Sequence, residues 1–361
     1  MGRRFSSKTS FFPGLLLVLI LALTLVINTN PIGFSKNALF RVKTPEIILE
    51  VPGRLAWAGG DTYYNYYKGN LKKMQQNGRV VWNTTPEDNL LWMGPEGLIY
   101  TRGNSICVSD VNGKQIYEKP DFLEELQILC IQKQYLLLSG KIRGTEYAVL
   151  LNELGDIVWQ VPLQGSIISG SVHVRGIYTA LNLIDDKAVS RMVVVGPTGE
   201  ILWNETPSNL VYQVKAVHEG IAAIVTDRAF LMDIKGRHLW EYRFEGQVLR
   251  GDIGNDGFIT VVVREMTGQL SQDTRPKIII LSPNGNIVCS YSLDKTPNLV
   301  NKSEDFLYIV DDYGIMVLSQ EGLLVSNIKL KGIKELALTK SNHIIAVQGD
   351  KSSLLQNSGG R

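Results

Sequence analysis

The sequence predicts an all-β fold: an eight-bladed β-propeller closed by a composite blade and preceded by one N-terminal transmembrane helix. Three observations carry this prediction. A turn glycine recurs at Gly78, Gly113, Gly155, Gly199, Gly236, Gly285 and Gly322, a period of about 40 residues that belongs to radial or stacked repeat folds. In the first five copies the fourth residue after the glycine is aromatic: Trp82, Tyr117, Trp159, Trp203 and Trp240. The two ends of the repeat region each hold an incomplete blade, and each supplies what the other lacks.

The blade elements follow in order from local chemistry. Before each turn glycine stands a β-rich run, such as Tyr147–Leu151, Met192–Val195 or Lys277–Leu281, and after it another, such as Ile157–Val161, Ile201–Asn204 or Ile287–Tyr291. Asn-Gly, Leu-Gly or Thr-Gly between two such runs is a tight hairpin, with glycine supplying the positive φ. Further upstream lies a second hairpin with its own polar turn, as in Val172–Ile177, Val217–Ile221 and Ile253–Phe258. Four short strands per repeat make one propeller blade. The aromatic residue near the outer strand fills the wedge that widens between neighbouring blades. Two weaker copies, ending in Cys289 and Ser326, follow the five aromatic ones.

The ends set the blade count. Residues 46–60 align with 156–170, placing Leu49 where Trp159 stands and Pro52 where Pro162 stands. The domain therefore begins on an outer strand. At the other end Glu335–Leu338, His343–Val347 and Ser353–Gln356 read as the first three strands of a blade. Joining them closes the ring and removes both open edges. Seven internal blades and one composite blade make eight; a seven-bladed ring with a loose terminus is the alternative.

The pattern of a small or polar residue, the turn glycine, a charged residue, two apolar residues and Trp resembles the quinoprotein-type, WD40-like propeller repeat. That resemblance spans Glu46 to about Gln356. It occurs in pyrroloquinoline-quinone alcohol dehydrogenases and in outer-membrane assembly lipoproteins. The whole layout is similar to an uncharacterised family of Gram-positive membrane-anchored propellers with no assigned activity. A quinone enzyme would need a bound quinone, a Ca²⁺ or similar ion and a catalytic carboxylate. The sequence lacks the vicinal cysteine pair and the large insertions of many such dehydrogenases.

Residues 1–10 form a short basic tail with Arg3, Arg4 and Lys8. Phe11–Ile27 is uncharged and apolar, near the short limit of ~17 residues for a spanning helix, and with Asn28 and Thr29 it forms a signal anchor over 11–29. No small-x-small cleavage site follows it; a cleaved signal peptide is the competing reading. The tail's charges place the N-terminus in the cytoplasm and the propeller outside it, although Lys36, Arg41 and Lys43 nearly balance the flank. A linker occupies 30–45, the propeller 46–356 and a disordered tail 357–361.

Hydrophobic residues make up 44% and charged residues 20%, with a formal net charge of +2. Since three positive charges sit in the tail, the remainder is close to neutral and has no electrostatic footprint for nucleic acid. Cys107, Cys130 and Cys289 are too few and too widely spaced for a disulfide framework or a metal knuckle. Asn83, Asn204 and Asn301 begin Asn-x-Ser/Thr triplets, which strand and turn chemistry also explains.

Candidate functional residues are few. His173 and His218 hold similar places in successive blades and converge at one end of the ring, a weak metal pattern without carboxylates at known spacing. His238 and His343 stand alone. Residues 252–257 read as a hairpin turn, since a Ca²⁺ loop would need Glu at Val263. Arg250-Gly-Asp252 is a chance tripeptide. Asp185-Asp186, Glu304-Asp305 and Asp311-Asp312 are turn residues. Tyr63, Tyr64, Tyr66 and Tyr67 pack against a neighbouring blade, and one rim of them suits a sugar or protein partner. The polar insertion Arg264–Lys277 suits a recognition loop. No catalytic, cofactor-binding or metal-ligating residue is assigned, and no cofactor is expected. The expected function is a binding or scaffold module, not an enzyme, in a cell-envelope complex with a membrane or envelope protein partner. The alternatives are a quinone-type oxidoreductase or other channel-site enzyme, and a carbohydrate or peptide sensor.

Overall fold

Every turn glycine of the repeat sits at a hairpin between the third and fourth strands of a four-stranded antiparallel sheet. The computed structural model describes residues 46–356 apart from 87–88, 104, 121–122, 133, 266–274, 304, 320–321 and 340–342. The tail, signal anchor and linker over 1–45, the tail 357–361 and most of the 264–277 insertion lie outside the described residues. Among the described residues no helix is long and apolar enough to cross a membrane.

The described strands form eight four-stranded sheets. Seven are continuous in sequence: blades 1 to 7 cover 54–84, 90–119, 124–163, 166–205, 211–243, 246–292 and 299–328. The eighth is composite. Glu335–Leu338, His343–Gln348 and Lys351–Gln356 supply its inner three strands, and Ile47–Pro52 supplies the outermost. Ile47–Pro52 runs antiparallel to Lys351–Gln356, with Val51 opposite Ser352. The expected composite blade is present, and the ring has eight blades, not seven.

Eight apolar clusters fill the spaces between neighbouring blades. Ala148, Leu150, Leu181 and Val193 meet between blades 3 and 4, and Ile224, Leu231, Val261 and Ile279 between blades 5 and 6. Middle strands such as Ile221–Val225 are buried along their whole length, because both faces of an inner blade strand carry a neighbour. This explains their continuous apolar runs where a one-sided sheet would alternate.

The turn itself is a repeated device. The seven glycines have φ between +79° and +91°, a region that a side chain rarely enters. Each donates its N–H to the residue three before it, for example Gly113 to Asp110 and Gly236 to Asp233. That earlier residue caps the turn: Asp110, Asn152 and Asp233 each accept two further backbone N–H bonds through one side-chain oxygen.

One residue before each aromatic, or before Cys289, Ser326 and Leu49 in its place, the outer strand bulges. Register shifts at Val81, Ile116, Val158, Leu202, Leu239, Val288 and Val325, and at Ile48 in the composite blade, leave those residues without a direct partner. A bulge twists an edge strand and turns the following side chain. The following side chain is the aromatic, now directed at the next blade. A Cβ built on Gly285 would lie 2.7 Å from Trp240 Cδ2, one on Gly155 2.5 Å from the Tyr117 ring, and one on Gly236 3.4 Å from Trp203 Cγ. Leu49 takes the same place against Gly78 at 3.7 Å, and Cys289 against Gly322. The wedge role expected of the aromatic is thus a contact with one defined partner, the turn glycine of the following blade.

Candidate functional site

The innermost strands of blades 3 to 6 end at one mouth of the ring. These are Glu124–Gln132, Ser166–Val172, Val211–Ala216 and Gly246–Ile253. The last three of them lead into the polar hairpin turns read in the sequence, and β-propensity ends there at His173, His218 and Asn255. Together these strand ends and turns wall a cavity of about 370 Å³, within the ~300–1,000 Å³ range of ligand pockets. Its lining includes Cys130, Gln132, Ser171, His173, Lys215, His218 and Asn255.

His173 and His218 do converge. Their rings lie 6.5 Å apart at 21°, and Tyr178 stacks on His173 at 4.7 Å. The Tyr178 hydroxyl is shared between the carbonyls of Val217 and Gly220, which fixes the blade 5 hairpin to blade 4. His173 is 2% exposed, and its Nδ1 accepts the Arg175 backbone N–H at 3.2 Å. Its Nε2 is enclosed without a hydrogen-bond partner among the described residues. Burial pushes the His173 pKa below its usual value, with His218 and Arg175 adding to the effect.

Lys215 Nζ donates to the Ile253 carbonyl at 2.7 Å. Burial lowers its pKa, while Asp252 opposes that shift. Burial likewise pushes the Cys130 thiol up, away from the thiolate. Beside the cavity, a polar chain ties the inner strands together. Gln213 Nε2 donates to Asp252 Oδ1 at 3.3 Å, and Gln213 Oε1 accepts the Ile253 N–H at 3.0 Å. The Lys302 side chain, 2% exposed, pairs with Asp256 Oδ2 at 2.6 Å and lies 4.6 Å from the Phe258 ring centroid. A buried ammonium needs such a partner, so Lys302 and Asp256 hold the blade 6 hairpin against blade 7.

A second cavity, of about 440 Å³, opens between blades 2 and 3 on the opposite face. Two of its lining charges pair with each other, Lys141 Nζ lying 2.6 Å from Glu125 Oε2. The channel mouth differs in holding a buried polar group that the fold leaves unused.

Other sequence candidates resolve as structure. Tyr63 and Tyr64 are fully buried. The Tyr63 hydroxyl meets His343 Nδ1 at 2.9 Å, and Tyr64 donates to the Val111 carbonyl. Of the tyrosine rim, Tyr66 and Tyr67 are half-buried, while Tyr63 and Tyr64 have the packing role expected of the strand. The His238 ring lies 5.3 Å from that of Phe230, tilted at 44°. Asp185 and Asp311 cap turns through their Oδ1 atoms, and Asp256 does so for Phe258. The core of the 264–277 insertion lies outside the described residues. Among the described residues no three His, Cys, Asp or Glu side chains are grouped to hold a metal ion. The sequence reading missed Cys130, Gln132, Lys215 and Asn255; their shared signal is position, at or just beyond the end of an innermost strand.

No protein-family model matches the chain, and no curated protein matches it. Solved structures do. BamB from Moraxella catarrhalis is 13% identical with a TM-score of 0.59, covering 87% of this chain and 100% of that one. Sqt1 from Saccharomyces cerevisiae is 9% identical with a TM-score of 0.59, covering 87% and 98%. A eukaryotic initiation factor is 9% identical with a TM-score of 0.55, covering 79% and 78%. These likenesses are of fold, and they agree with a quinoprotein- or WD40-like propeller.

Proposed function

We propose that this propeller is a membrane-anchored, extracytoplasmic binding or scaffold module in a cell-envelope complex, without catalytic activity. One observation carries the binding reading. The inner strands and hairpins of four successive blades frame a cavity lined by polar side chains from each of them, among them Gln132, Ser171, Lys215, His218 and Asn255. The fold likeness to BamB is compatible with a scaffold but shows fold alone.

The non-catalytic part is supported by the chemistry at the mouth. Burial keeps Cys130 in its thiol form, the weaker nucleophile, and the Lys215 ammonium is committed to the Ile253 carbonyl. The membrane part rests on the apolar run Phe11–Ile27 behind the basic tail. Partners are accordingly proteins of the membrane or envelope, not nucleic acid.

Protease added to intact cells tests the placement. Digestion of the propeller is expected, with an N-terminal fragment retained in membranes. Full protection until lysis contradicts the extracytoplasmic assignment.

A further inference from the structure

Blade 2 departs from the repeat at its wedge. Tyr117 holds the position where Trp82 and Trp159 stand on the blades to either side. On blades 4 and 5 the indole caps the carbonyl two residues before the next turn glycine, Trp203 at Ile234 and Trp240 at Pro283. A phenol is smaller than an indole and carries no ring N–H. The equivalent carbonyl, at Glu153, receives no hydrogen bond among the described residues.

A cleft opens at this place between blades 2 and 3. Trp92, Val108 and Tyr117 wall it on the blade 2 side, and Ile131, Tyr135 and Leu136 on the blade 3 side. Its volume is about 100 Å³, below the ~300 Å³ at which small-molecule pockets begin, so it suits one inserted side chain. The apolar lining continues to the rim, where Ile116 is 47% exposed and Leu154, beside the turn glycine, is 67% exposed. The first and third turns of an antiparallel blade share one face, so the cleft lies on the face of the channel mouth. Ile131 lines both cavities.

The charges of the rim have one sign. Glu96 lies in the first turn of blade 2 and Glu153 in the third turn of blade 3. Both are exposed. Among the described residues neither carboxylate has an ion pair or a hydrogen bond, and no Lys or Arg lines the cleft. Asn152, the polar residue next to Glu153, is committed to Leu154 and Asp156. The result is an apolar well with two free carboxylates at its rim.

We propose that this cleft docks a segment of a protein partner, with one large apolar side chain inserted beside Trp92, Tyr117 and Tyr135 and flanking Lys or Arg residues meeting Glu96 and Glu153. The inserted side chain supplies the affinity, and the rim carboxylates select basic over acidic segments. The proposal rests on the reading of the propeller as a binding module and names the chemistry of its partner.

The test selects phage-displayed random heptapeptides on the full-length protein in detergent, then measures the enriched peptide by fluorescence anisotropy. The expected sequences carry a large apolar residue flanked by Lys or Arg. Enrichment of acidic or uncharged peptides, or of none, overturns the proposal. Tyr117→Trp installs the residue of the adjoining blades, so it keeps the wedge while filling the cleft. It should weaken the peptide at least about tenfold without lowering the thermal midpoint. Glu96→Gln combined with Glu153→Gln changes two exposed positions, so the fold is retained; binding should weaken about fivefold and lose most of its salt dependence. Binding unchanged in either variant overturns the assignment to this cleft. If no peptide is enriched but a partner crosslinks to another surface of the propeller in cells, the cleft falls while the binding-module reading stands. Absence of any specific crosslink as well removes both.

Discussion

The indole of Trp240 lies on the turn of the following blade at Gly285, and its Nε1 donates to the Pro283 carbonyl at 2.7 Å. The ring covers the glycine, and the donor caps the residue two before it. Trp203 repeats the arrangement one blade earlier, over Gly236 with Nε1 bonded to the Ile234 carbonyl at 3.1 Å. The glycine and the aromatic of the repeat thus act across the interface between blades, and each needs its partner in the neighbouring copy.

Replacing that glycine tests the contact. Gly285→Ala combines a side chain at φ +79° with a Cβ 2.7 Å from the Trp240 ring, for an expected loss of about 2–4 kcal/mol. Gly69 has the same φ of +79° and nothing within 4 Å, so Gly69→Ala should cost only about 1 kcal/mol. Denaturant unfolding measures both. Equal losses would mean that backbone strain, not the indole, selects the glycine. In Trp240→Leu, Gly285→Ala should cost less than in the parent protein.

The two ends of the tryptophan series should respond differently to Phe. Trp240→Phe removes a bond to the Pro283 carbonyl. Trp82→Phe removes no bond, because the equivalent carbonyl, Val111, is taken by the Tyr64 hydroxyl and Lys73 Nζ, leaving Trp82 Nε1 buried and unpartnered. Trp240→Phe should be the more destabilising by about 1 kcal/mol. A larger loss for Trp82→Phe in thermal unfolding contradicts this ordering.

Ring closure has its own polar latch. Ser352, fully buried in the composite blade, donates to the Gly53 carbonyl at 2.7 Å and accepts the Leu55 N–H at 3.1 Å. Ser352→Ala leaves both groups buried without it and should cost about 1–3 kcal/mol. Hydrogen exchange should quicken in Ile47–Pro52 and Lys351–Gln356 before the other blades. Uniform protection across all eight sheets would show that the latch does not govern closure.

High pH should weaken the ring. Burial raises the phenols of Tyr63 and Tyr117 to about 12, and those of Tyr64 and Tyr178 higher still, from an ordinary 10.0. The folded state therefore holds protons that the unfolded chain releases. That stabilisation is complete below pH 10 and declines as pH rises through about 12. Urea midpoints should fall between pH 9.5 and 11.5, and the fall should be shallower in Tyr117→Phe. A flat profile in the parent protein contradicts burial of these hydroxyls.

The ring was legible because its devices repeat. Gly155 and Trp159 look alike in five copies, and matching Leu49 to Trp159 located the outer strand of the composite blade. Leu49 indeed follows a bulge at Ile48 and packs against Gly78, as Trp159 follows one at Val158 and packs against Gly199. The bulge was not legible, since Ile157-Val158 reads as ordinary strand and only pairing shows Val158 displaced. Nor was the mouth. His173 and His218 could be placed at one end of the ring, but Lys215 and Cys130 join them through the register of inner strands from different blades. The bond from the Arg175 backbone N–H to His173 Nδ1 is a matter of turn geometry that no spacing encodes. The proposed binding function rests on such non-repeating positions, while the repeat itself builds the frame.

The most direct measurement places a photo-crosslinking amino acid at two exposed positions of the full-length protein in living cells. Position 218 faces the mouth, and position 158 lies on the outer strand, where Val158 is 39% exposed. A binding module working through its channel mouth predicts a discrete protein adduct from position 218 and none from 158. An adduct from 158 alone, or from neither position, contradicts that account.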